Sequence, residues 1–84
     1  MRTLAEFSQG RDKITLMHWN EKYVIRVERG PLEQTYKLDA LDFAGPEDVR
    51  ARLDLAFTES CDRTFQLMGQ ELAALFTGER PSAV

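Results

Sequence analysis

The sequence predicts an α+β fold: an antiparallel β-meander of three to four strands, followed by one long or two abutting C-terminal α-helices packed on one sheet face. Three observations carry this expectation. Residues 13–38 alternate between apolar and polar positions, with turn-forming pairs between the runs. Residues 46–76 place apolar side chains mostly four apart, close to a helical period. The two hairpins within 13–38 also agree on one buried face, which neither would establish alone.

The first hairpin runs from Lys13 to Trp19, turns at Asn20-Glu21 and returns from Lys22 to Glu28. With those two residues as the loop, Trp19 faces Lys22, Met17 faces Val24 and Thr15 faces Arg26. On the opposite side His18 meets Tyr23, Leu16 meets Ile25 and Ile14 meets Val27. After Gly30-Pro31 the next run is Leu32 to Leu38. Proline is poor at the second central position of a type I turn, so a four-residue loop from Arg29 to Leu32 is expected. That loop keeps the register, with Ile25 beside Tyr36, Tyr23 beside Leu38, and Glu28 against Glu33 in a mildly unfavourable pair.

Residues 1–10 admit two readings. Thr3-Leu4-Ala5-Glu6 has capping-box spacing with Gly10 as a helix stop, whereas Thr3, Ala5 and Phe7 alternate as in a strand. The strand is the better reading: it extends an existing sheet, while so short a helix is marginal. A loop at Gln9-Gly10-Arg11-Asp12 then puts Phe7 opposite Ile14.

Residues 39–45 connect the meander to the helical part, 46–77, and are expected to bring Leu41 and Phe43 to the core. Pro46 suits a first helical position, and Glu47 and Asp48 suit the positive end of the helix dipole. The stripe of Val49, Leu53, Phe57, Cys61, Phe65, Met68, Leu72 and Leu75 drifts, because spacings of four exceed the ~3.6 residues of a turn. A break at Thr58-Glu59-Ser60 with Ser60 as a cap would reset it. Gly78 and Pro81 stop the helix, leaving 78–84 as an expected frayed tail. The expected core is Phe7, Ile14, Leu16, Tyr23, Ile25, Val27, Tyr36, Leu38, Phe43, Val49, Leu53 and Phe57.

All 84 residues are expected to form one small domain, and the chemistry-bearing residues are few. One cysteine, Cys61, rules out an intramolecular disulfide or a cysteine-built zinc site. His18 has Tyr23 and Leu16 as strand neighbours, where a catalytic base needs a nucleophile or an orienting acid. Cys61 sits on the apolar stripe as a small hydrophobe. No metal-ligand spacing or glycine-rich phosphate loop occurs, so neither an enzyme nor a cofactor is expected. No run approaches the ~20 apolar residues of a membrane span, and Met1 to Glu6 lacks a signal peptide's apolar centre. The expectation is a cytoplasmic protein with no membrane partner.

Two features point outward. The first is the sheet face carrying Met17, Trp19 and Val24 among Lys22, Arg26 and Lys37, a candidate surface for a protein partner or nucleic acid. The second is length: a continuous helix from Pro46 to Phe76 would span about 45 Å at ~1.5 Å per residue, against about 23 Å for a seven-residue strand. Its far half must fold back or meet another chain, so a homodimer is expected, with Phe65, Met68, Leu72, Leu75 and Phe76 at the interface.

The leading functional expectation is therefore a small, non-catalytic, homodimeric protein-interaction module. The alternative is single-stranded nucleic-acid binding, with a base stacked on Trp19 and phosphates met by Lys22, Arg26 and Lys37. In element order the chain is similar to single-strand-binding transcriptional coactivators and Whirly proteins. Against that stands charge. Residues 11–37 hold six basic and four acidic residues, but 39–84 hold four basic and nine acidic, and the net charge is −3.

Overall fold

A computed structural model describes residues 1–78. Most of the expected frayed tail, 79–84, lies outside the described residues. Four strands, β1 (Arg2–Gln9), β2 (Asp12–Trp19), β3 (Lys22–Arg29) and β4 (Leu32–Asp39), form one antiparallel sheet in the order β1-β2-β3-β4. A 3-10 turn (Ala40–Asp42) leads to helix α1 (Pro46–Arg52) and then to helix α2 (Leu55–Thr77). The N-terminal segment is thus a strand, and the helical part is two abutting helices.

Both hairpin registers are as the alternation predicts, from His18 with Tyr23 and Ile14 with Val27 through Ile25 with Tyr36. Asn20 (φ 51°) and Glu21 (φ 62°) both take positive φ, as a type I′ turn demands. The four-residue loop at 29–32 is corrected to a two-residue turn, with Arg29 paired to Leu32. Gly30 opens it at φ 55°, and Pro31 can only be negative, which is the sign pattern of a type II′ turn. The type I objection to proline does not reach that geometry. Likewise Gln9 pairs with Asp12, leaving only Gly10-Arg11 as the first turn.

A bulge between Thr3 and Ala5 shifts the register of β1. Thr3 pairs with Met17 on the outer face, while Leu4, Ala5 and Phe7 pack against the core. The simple alternation of Thr3, Ala5 and Phe7 fails there by one residue.

The inner face supplies Ile14, Leu16, Tyr23, Ile25 and Val27, all buried against Val49 and Leu53 of the α1 region and Cys61 and Phe65 of α2. Side chains of this size contribute roughly 1.5–3 kcal/mol each when fully buried. Phe7, Leu38, Phe43 and Phe57 flank them, half-buried. The Arg50 guanidinium lies 3.8 Å above the Phe7 ring, seating α1 over the β1 side.

Two core expectations and the position of the helix break are corrected. Tyr36 is 39% exposed, its ring edge on Phe57 at 6.0 Å. Leu41 is 88% exposed rather than directed inward. Asp39 accepts from the Leu41 N–H at 3.0 Å and Phe43 N–H reaches Ala40 O at 3.3 Å, and this tight turn throws Leu41 out while Ala40 and Phe43 pack inside. The helix break lies at Leu53-Asp54 instead of 58–60. Asp54 is extended and its Oδ1 accepts from Phe57 N–H at 3.0 Å, a better cap than Ser60 can offer from inside a turn already formed. Thr58 instead donates its hydroxyl to Leu55 O at 2.9 Å within α2.

Candidate functional site

The position of α2 is set by side chains from the edge strand β4 and the turn end of the sheet. Its residues meet β4 in reverse order. Phe57 packs on Tyr36, and one helical turn later the Cys61 carbonyl accepts from buried Gln34 Nε2 at 3.0 Å. Tyr36 Oη donates to Gln34 Oε1 at 2.7 Å, which orients that amide. Burial raises the Tyr36 phenol and, for the same reason, the Cys61 thiol above their ordinary pKa values. A thiol so held is a packing group, not a nucleophile.

Next along the helix, Arg29 ties three elements together. It binds Asp12 through Nε at 2.5 Å and Nη2 at 3.0 Å, and Asp62 of α2 through Nη1 at 2.9 Å. Its guanidinium also lies 4.8 Å from the Phe65 ring centroid. Arg29 holds the Asp62 carboxyl below the usual carboxylate range.

Past this anchor the sheet ends at Gly30-Pro31, but α2 continues from Phe65 to Thr77, about 18 Å at ~1.5 Å per residue. The described chain is accordingly elongated, 45 × 25 × 21 Å. The overhang exposes Leu67 by 64%, Leu75 by 65% and Phe76 by 84%. Met68 and Leu72 are half-buried, and with Leu32, Thr64, Leu67, Glu71 and Leu75 they line an open groove of about 440 Å³. From Phe65 to Thr77 the only charged residue is Glu71.

The five helix residues predicted for an interface therefore divide. Phe65 is corrected: it is buried in the core beneath Arg29 and has no surface to offer. Met68, Leu72 and Leu75 line the groove, Leu75 still largely exposed, while Phe76 stands free on the overhang. Leu32 and Leu67 belong to the same surface. Leu32, an apolar residue directly after a turn, was its one legible signal; Leu67 lies off the apolar stripe.

The outer sheet face is less open than its sequence suggests. Met17 and Val24 are buried, shielded by the side chains that ring them in the register. Trp19 is 46% exposed and opposite Lys22, and Lys37 lies opposite Val24. Arg26 pairs with Glu33 at 3.8 Å, and Lys13 with Glu6 at 3.0 Å, which raises the lysine pKa. His18 stacks on Tyr23 with ring centroids 5.4 Å apart.

No family model matches the chain, and no curated protein or solved structure matches it significantly. The likeness to single-strand-binding proteins therefore rests on element order alone. Among the described residues no helix is long and apolar enough to cross a membrane.

Proposed function

We propose that this protein is a small, non-catalytic interaction module that works as a homodimer, joined through the overhanging end of α2. The observation that carries the reading is that the apolar stripe of α2 outlasts the sheet beneath it. Leu72, Leu75 and Phe76 continue a face whose earlier turns are core.

A second copy is the occupant that fits best. The overhang and the turn end of the sheet make a step, and a matching step turned by a two-fold axis fills it with the same residues from each side. Charge favours the same choice. In a chain of net charge −3, the overhang holds one charged residue, so two copies can meet there with little like-charge repulsion. The lone, buried cysteine suits a reducing compartment, which supports placement in the cytoplasm.

The nucleic-acid alternative has less support. Two cations of the outer face, Lys13 and Arg26, are paired with carboxylates, and Trp19 alone gives a base something to stack on.

Dimerisation makes the thermal midpoint depend on protein concentration. From about 5 to about 200 µM the midpoint of the native chain rises, and Phe76→Glu removes the rise without lowering the dilute value. A midpoint independent of concentration contradicts the reading.

A further inference from the structure

We infer that, on the homodimer reading above, the two-fold axis passes through Thr35, so that the edge strands β4 of the two copies pair antiparallel and join both sheets into one. β4 is the last strand of the sheet, and its far side has no strand beside it. Arg29 and Leu32 close a two-residue turn, so Leu32, Gln34, Tyr36 and Leu38 direct their backbone groups to β3. Ala40 keeps the same phase, its N–H reaching Glu21 O at 3.0 Å. The backbone groups of Glu33, Thr35 and Lys37 therefore point away from the sheet, and among the described residues no backbone bond reaches them from that side. The other edge strand, β1, is interrupted by its bulge.

Two-fold pairing must set these outward residues against one another, and three registers do so while using most of the strand. Centred on Tyr36, Glu33 meets Asp39, a like-charge pair; centred on Gln34, Lys37 meets Pro31, which has no N–H to give. Centred on Thr35, Glu33 of each copy meets Lys37 of the other, so the strand is complementary to itself. An edge lysine ordinarily discourages pairing, but in this register each one is answered. Both side chains are free to respond: Lys37 has no ion pair among the described residues, and Glu33 holds Arg26 only at 3.8 Å. The same register sets Leu38 of one copy opposite Leu32 of the other. Leu32 is the one sheet residue lining the groove beside α2, and it lies on the edge strand, so the groove opens toward the free edge. Half-buried Leu38 arrives at that opening, followed by the turn that carries Leu41, 88% exposed. On that side α2 presents Thr64 and, one turn back, Ser60, both small and exposed, which leaves room for the second copy.

Charge exchange tests this register. Glu33→Lys and Lys37→Glu each place two like-charge pairs across the axis, so each variant alone dimerises about tenfold or more weakly than the native chain by sedimentation equilibrium. Mixed in equal amounts, the two variants restore both opposite-charge pairs, and the mixture dimerises about as tightly as the native chain. A general loss of stability in either variant could not produce that recovery. Thr35→Cys forms a covalent dimer on mild oxidation, because residues paired across the axis have Cα atoms ~5.5 Å apart, within disulfide reach. Glu33→Cys, whose two copies stand about 13 Å apart at ~3.4 Å per residue, forms none, and neither does the native chain with its buried Cys61. Native affinity in both charge variants, a mixture no tighter than its parts, or no cross-link in Thr35→Cys overturns the strand pairing. The homodimer reading is then judged by Phe76→Glu alone. A native chain that stays monomeric at every concentration overturns both.

Discussion

Arg29, at the end of β3, and Asp12, at the start of β2, are joined by two parallel hydrogen bonds of 2.5 and 3.0 Å, with Asp12 buried. The pair sits where two hairpin ends meet α2, and a third bond to Asp62 carries it onto the helix. A bidentate, partly desolvated pair of this kind resists the loss of either partner alone, because the survivor keeps a buried charge without compensation. Asp12→Ala should therefore cost about 3 kcal/mol, read from urea denaturation. Replacing both partners, as in Asp12→Leu with Arg29→Met, should cost clearly less than the sum of the two single changes.

The same network makes stability depend on acid. The Asp62 carboxyl lies below its ordinary value of 3.8 in the folded chain, chiefly through its hydrogen bond from Arg29. Its contribution is complete above about pH 5 and fades as pH falls through the folded value. Wild type should be more stable than Asp62→Asn at neutral pH, with the two converging as pH falls below the ordinary carboxylate value of 3.8. Parallel stability curves from pH 6 to pH 3 would show that the pair does not act this way.

The break between the helices gives a clean comparison. Asp54→Ala removes the side-chain cap of α2 and should destabilise by ~1 kcal/mol, whereas Ser60→Ala should stay within ~0.5 kcal/mol. The reverse order would return the break to 58–60.

Much of the meander was legible because its information is local. Period-two alternation and the pair Asn20-Glu21 set the register of β2 on β3, and the shared buried face extended it to β4. The errors came where a rule had a competitor. Gly30 chose a type II′ turn that tolerates proline at its second central position, and Asp39 capped a tight turn that sent Leu41 to solvent. The anchors of α2 were out of reach for a different reason. Arg29 meets Asp12 and Asp62 across 17 and 33 residues, and Gln34 meets the Cys61 carbonyl across 27, separations no periodicity encodes. The overhang itself was foreseen from helix length against strand length. Which of its residues face outward had to wait for the place where α2 leaves the sheet, and that removed Phe65 and added Leu32.

Trp19 offers a check on the competing use of the outer face. It is about half exposed, so a stacked base would change its emission. Short single-stranded DNA at low salt should leave Trp19 fluorescence unchanged, because two cations farther along the same face, Lys13 and Arg26, already hold carboxylates and Lys22 alone stands opposite the indole. Quenching that weakens with salt and is lost in Arg26→Glu would favour nucleic acid instead.

The central claim is that the end of α2 joins two copies, and sedimentation equilibrium reads it directly. Over about 1 to about 200 µM the native chain should move from its 9.7 kDa monomer mass toward twice that value, and Phe76→Glu should stay at the monomer mass with its fold intact. A native chain that keeps the monomer mass across the whole range contradicts the account.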